Sequence, residues 1–172
     1  LSLAVVEYQT AILQGDMAHA ESLLPQVPSA QRGKIAKFLE AQSMPDLALS
    51  VATDPDHRFD LAVQLGQFDV ALDIARHGPA SGAEMRWRTI GDQALAHWDV
   101  ALAQECFKHA NDVHSLFLVA TAQQDEALLR HVAEAARAKG ELNLAVAALV
   151  QLQDTRGVVD VLMPVSYTHL TL

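Results

Sequence analysis

The feature that most constrains this chain is a recurrent Asp-x-Ala tripeptide set between apolar stretches of helical period. It occurs at Asp16-Met17-Ala18, Asp46-Leu47-Ala48, Asp69-Val70-Ala71, Asp99-Val100-Ala101 and Asp125-Glu126-Ala127. The spacings are 30, 23, 30 and 26 residues. Two more copies, at Asp73 and Asp92, fall inside helical stretches and break the register. With 13 aspartates among 29 alanines, about two matches arise by chance. Position therefore carries more weight than the tripeptide itself, since each of the five closes one helix-like run and opens another. An aspartate at such a joint accepts hydrogen bonds from the free N–H groups of the helix it opens and faces the positive end of its dipole. Alanine two residues on is expected to let the second helix approach the first closely. Phe68 and Trp98, each just before its aspartate, are expected to pack back across their hairpins as staples.

Units of 23–30 residues that each fold as two helices predict an all-α chain, an α-solenoid of about six stacked hairpins, like tetratricopeptide or clathrin-coat arrays. Helices are predicted near 2–14, 16–24, 30–42, 45–52, 55–66, 69–77, 82–97, 99–110, 112–123, 125–139, 141–152 and 154–163. Thr53-Asp54-Pro55-Asp56 and Ser81-Gly82-Ala83-Glu84 read as helix starts, and Gly78-Pro79 and Gly140 as stops. Composition agrees: 29 alanines and 24 leucines against 5% aromatics argue against a β-sandwich or barrel. Apolar first residues (Leu1, Leu3, Val5, Val6) predict a piece cut from a longer array. The array is assigned to residues 1–163. Pro164 to Leu172, β-branched and without helical period, is expected to be a non-helical tail foreign to the fold.

Charge narrows function. The chain carries a net −9, and its twelve basic residues are scattered, which argues against nucleic acid and against docking on anionic lipid. One cysteine, Cys106, forbids an intramolecular disulfide and fits a reducing compartment. The longest apolar runs, such as Leu144–Val150, fall well short of the roughly 20 residues that cross a bilayer.

Candidate chemistry is sparse. Eight histidines show no metal-ligand spacing, and no metal or cofactor is expected. Asp54, Asp56, His57 and Asp60 could serve acid–base chemistry, but they open a helix, where capping accounts for them more simply. Cys106 lies on an apolar helix face and reads as a buried hydrophobe. Trp87, between Arg86 and Arg88, reads as a helix-packing residue before an interface anchor. No catalytic residue is assigned. A tetratricopeptide-like peptide-binding adaptor remains the alternative, although its regular 34-residue period is missing.

Several segments carry a resemblance. Thr53 through Gly66 (Thr-Asp-Pro-Asp-His-Arg-Phe-Asp-Leu-Ala-Val-Gln-Leu-Gly) is similar to the solenoid region of coatomer subunits, the vesicle coat of the early secretory pathway. So are Trp98–Ala110, above all Ala101-Leu102-Ala103-Gln104-Glu105-Cys106, then Leu116–Ala122, and Gln31–Gln42. The likeness covers about residues 5–163; the Gly78–Gly82 connector is looser than the family's, and the tail after Met163 matches nothing in it. The resemblance implies a non-enzymatic scaffold for coat assembly in Golgi-to-ER and intra-Golgi transport. It implies a cytoplasmic location, peripheral on Golgi membranes and vesicles. It implies pairing with other coatomer subunits, chiefly the alpha subunit, through faces it does not identify. Propeller repeats that read cargo signals in that family are not visible in this chain.

Overall fold

The computed structural model describes the backbone of residues 3–168 and the side chains of residues 3–163. Twelve α-helices and one short 3-10 turn make up its regular structure, with no strand among the described residues. The chain is an all-α solenoid of helical hairpins, divided into two compact units, one through Ala83 and one from Glu84.

The first unit holds α1 (Leu3–Gln14), α2 (Met17–Leu23), a 3-10 turn (Leu24–Gln26), α3 (Ser29–Ala41), α4 (Pro45–Val51), α5 (Pro55–Gln64) and α6 (Phe68–His77). Proline punctuates it. Pro25, Pro45 and Pro55 each sit in the first turn of their helices, where the missing N–H is not needed, and Pro28 is the N-cap of α3. Leu39, Ile35 and Leu61 are among its most deeply buried side chains.

The second unit holds α7 (Ala83–Ala96, entering at Glu84), α8 (Val100–His109), α9 (Val113–Gln123), α10 (Glu126–Lys139), α11 (Leu142–Gln151) and α12 (Thr155–Thr168). One core runs through it, with Ala94, Phe107, Leu116, Ala120, Val132 and Ala148 at its centre. Phe107 is fully buried and lies against Gly91 of α7; a Cβ built on that glycine would come within 2.6 Å of the ring. The glycine is what allows α7 to lie this close to the phenyl group.

Every predicted helix has its counterpart, within a few residues at each end. The difference lies at the C-terminus. The backbone of 164–168 continues α12, so the non-helical tail expected from Pro164 does not begin there. Pro164 has no N–H to give to this helix, so its interior lacks one hydrogen bond there. Residues 169–172 lie outside the described residues.

Candidate functional site

One turn recurs at the helix joints. Its residues in the left-handed region are Gly15, Ser43, Gly66, Trp98, Asn111, Gln124, Gly140 and Gln153, with φ between +51° and +77°. The N–H of each bonds the carbonyl three residues back, and the next N–H reaches five residues back, as in Asp16 N to Ala11 O (3.0 Å) and Asp99 N to Ala94 O (2.9 Å). This is the Schellman pattern, and it satisfies two carbonyls that the ending helix leaves open. The residue after the left-handed one is at once the N-cap of the next helix.

The turn also accounts for eight of the 29 alanines. The residue whose carbonyl accepts the longer bond and the residue four after the cap stand nine apart: Ala11/Ala20, Ala62/Ala71, Ala94/Ala103 and Ala136/Ala145. All of these are buried. Small side chains at both positions let the two helices meet directly beside the turn.

The expected turn aspartates fall into two registers. Asp16, Asp99 and Asp125 are N-caps, accepting from the backbone N–H of His19 (3.0 Å), Leu102 (3.1 Å) and Leu128 (3.0 Å). Asp46 and Asp69 are not caps. Met44 and Gln67 hold those positions, and both aspartates sit in the first turn, where only the dipole favours them. Asp46 Oδ1 accepts weakly from Gln67 Nε2 at 3.4 Å. The alanine expectation shifts in the same way. Ala48 and Ala71 are buried, but Ala18, Ala101 and Ala127 are exposed, and the close-packed residue after a capping aspartate is the one four positions on. A tripeptide read without helix phase merges two patterns offset by two residues.

The staples also part company. Phe68 is half-buried at the start of α6. Trp98 occupies the left-handed position of the α7–α8 turn and is 88% exposed, so it does not staple its hairpin. The conformation φ +63° aims its side chain away from both helices.

Asp112 and Asp154 are further caps outside the tripeptide pattern, with His114 and Arg156 in place of its alanine. Asp154 Oδ1 accepts from Gly157 N (2.9 Å). Asp112 is the most engaged carboxylate. Oδ1 accepts from Ser115 N (3.1 Å), and Oδ2 accepts from Ser115 Oγ (2.9 Å) and pairs with Arg88 Nε of α7 (3.2 Å). Burial pushes this carboxyl up, but the Ser115 hydrogen bonds and the Arg88 guanidinium together outweigh burial and hold it below the ordinary aspartate value. Beside it, Lys139 Nζ donates to Asn111 O, and His114 Nε2 lies 3.4 Å from Glu141 Oε2. The α8–α9 and α10–α11 turns are thereby tied to each other.

The remaining candidates have structural partners. Asp54 caps α5 through His57 N (3.0 Å), and the His57 ring meets Glu40 of α3 at 2.6 Å, not an acid of its own cluster. Trp87 is buried and stacks on His109, with centroids 4.4 Å apart. Cys106 is buried in the core. Among the described residues, no three His, Cys, Asp or Glu side chains gather as a metal would need, and no helix is long and apolar enough to cross a membrane. The surface of hairpin turns, caps and exposed helix faces is what this arrangement offers to a partner.

Comparison with known proteins agrees with this architecture. The COPA/B TPR domain family matches residues 8–168. Coatomer subunit beta' of Rattus norvegicus is 39% identical over 145 residues, 84% of this chain and 16% of that protein. The Drosophila melanogaster beta' subunit is 38% identical over 163 residues, 95% of this chain and 18% of its own length. Beta'-1 of Arabidopsis thaliana is 37% identical over 152 residues, 88% of this chain and 16% of its own. The chain thus spans less than a fifth of the length of these curated relatives. It belongs to the COPA/B TPR domain family and is related to the beta' subunits of coatomer.

Proposed function

We propose that this array is a scaffold segment of a coatomer subunit, with no enzymatic role of its own. The observation that carries the reading is the recurrence of one satisfied turn at eight helix joints among the described residues, four of them with buried alanines on both sides. Such joints leave few backbone groups open and hold neighbouring helices at close range, which makes each unit stiff. Stiffness suits a part that transmits curvature through a coat. Asp54, Asp112 and His57 serve caps and ties between helices.

On this reading the exposed faces pack against other coatomer subunits, chiefly the alpha subunit, on the cytoplasmic side of Golgi membranes and of vesicles moving from Golgi to ER and within the Golgi. The capping aspartates Asp16, Asp99 and Asp125 keep the array in register, and the last residues, 164–172, contribute nothing to assembly. The test is copurification. A beta' subunit in which this array replaces its own is expected to recover the alpha subunit at the native level. Deleting the array is expected to abolish that recovery. Normal coatomer incorporation of the deletion protein overturns the scaffold reading.

A further inference from the structure

We propose that α9 and α11 of the second unit dock on a second copy of this chain, face to face about a twofold axis that runs between them. The two helices differ from their neighbours in charge. α8 and α10 carry Glu105, Lys108, Arg130, Glu134 and Arg137 on their exposed sides. α9 and α11 contain no Asp, Glu, Lys or Arg between Val113 and Gln123 or between Leu142 and Gln151. Their inner sides supply Leu116, Val119, Ala120, Ala148 and Leu149 to the core. Their outer sides are apolar as well: Leu118 is 68% exposed and Val150 59%. A helix that is apolar all round belongs in an interior, and the centre of a protein interface is where charge is depleted. Neither helix has a lysine or arginine to meet an anionic membrane.

The register of the two helices fits them to each other's copies. α9 and α11 are neighbours in the array. Leu118 stands six residues before the left-handed Gln124, and Ala147 six before the left-handed Gln153. The two therefore lie at one level, as do Thr121 and Val150, each three residues before its turn. A half-turn about an axis parallel to the helices and midway between them lays α9 of one copy on α11 of the other. Leu118 of each copy then covers Ala147 of the other, and Val150 covers Thr121, a larger side chain on a smaller one in each pair. An isologous contact requires this exchange, in which every pair is made twice. Charge does not oppose it, although each copy carries −9. Asp92, at the matching level of α7, falls outside the overlap. Asp112 and Glu141, the caps that open the two helices, face across the axis, and each is already tied, to Arg88 and to His114. Two helix faces about 15 Å long and 10 Å apart bury roughly 600 Å² over both copies. Stable complexes bury about 1,200 Å² or more, so this contact is weak and reversible, of the kind that repetition strengthens.

The test is sedimentation equilibrium of the whole 172-residue chain, with Tm recorded for every variant. Wild type is expected to pass from monomer to dimer between about 10 μM and 1 mM, more readily as salt screens the two net charges. Leu118→Glu, at an exposed position, is expected to weaken dimerisation at least tenfold with Tm unchanged. Leu118→Ala leaves the hollow unfilled and Ala147→Leu sets leucine against leucine, so each alone is expected to weaken it. The double variant Leu118→Ala, Ala147→Leu exchanges knob and hollow and is expected to restore wild-type association. A wild-type chain that stays monomeric overturns the proposal, and so does a dimer that Leu118→Glu leaves intact. A double variant no better than its singles overturns the twofold register, and the proposal with it. Capture of purified coatomer alpha subunit by a monomeric wild type, lost in Leu118→Glu, gives the face to that subunit and overturns the second copy. The scaffold reading is independent of these outcomes and stands or falls by its own deletion test.

Discussion

The two units use the same turn but depend on it differently. In the unit through Ala83, tight turns at Gly15, Ser43 and Gly66 alternate with looser joints at Leu24–Pro28, Ala52–Asp54 and Gly78–Gly82, and five of the six prolines lie there. Two of its three tight turns are capped by Met44 and Gln67, neither of which gives a side-chain bond to the helix. In the unit from Glu84, all joints between α7 and α12 are the one turn, and four of those five carry an aspartate cap with its hydrogen bond. The first unit is placed by proline and loop geometry. The second is placed by a repeated local code, so its cohesion concentrates in a shared core and in ties between turns.

That contrast predicts where the second unit breaks. Phe107→Ala, which empties the centre of its core, is expected to cost about 3–5 kcal/mol in denaturant unfolding. Gly91→Ala pushes a methyl group into the same ring and is expected to cost about 1–3 kcal/mol. A neutral effect of Gly91→Ala would mean that α7 can move off α8 freely. Asp112→Ala removes a cap and the tie to Arg88 and is expected to cost about 1–2 kcal/mol near pH 7. The sign with pH follows from its lowered carboxyl. The stabilisation is fully present above the unfolded value near 3.9 and fades as pH falls through the lower folded value. Wild type and Asp112→Ala should therefore converge in stability only in strongly acidic solution.

The first unit should respond in the opposite direction. Gln67→Ser supplies the missing cap of α6 and is expected to stabilise by about 0.5–1 kcal/mol, read as a rise in Tm. No gain would mean that the looser joints, not the caps, limit that unit. The smallest effect is expected from ending the chain after Met163, which should leave Tm within about 2 °C of the full chain. A larger drop would make residues 164–172 part of the fold.

Helix number, helix ends and the capping role of Asp16, Asp99 and Asp125 were legible because caps and turns are written within five or six residues of chain. The apolar helix face likewise places Cys106 inside. Two things blurred the reading. An Asp-x-Ala pattern carries no helix phase, so it hides the nine-residue spacing of buried small residues and does not cover the caps Asp112 and Asp154. Trp98 reads as a staple in sequence, because an aromatic next to a cap is compatible with that role and with the left-handed turn position until φ is known.

The sequence by itself determined an all-α array of hairpins and its family, since both are encoded in local patterns that survive without knowledge of neighbours. Only the tertiary structure decided which side chains meet across the chain. Glu40 faces His57 from 17 residues away, Lys139 reaches Asn111 over 28, and Gly91 leaves room for the Phe107 ring. It also left Trp98 exposed at the α7–α8 turn. Contacts at such separations depend on how helices stack, and the stacking is set by side-chain volume and turn geometry acting together, which no single stretch of sequence contains.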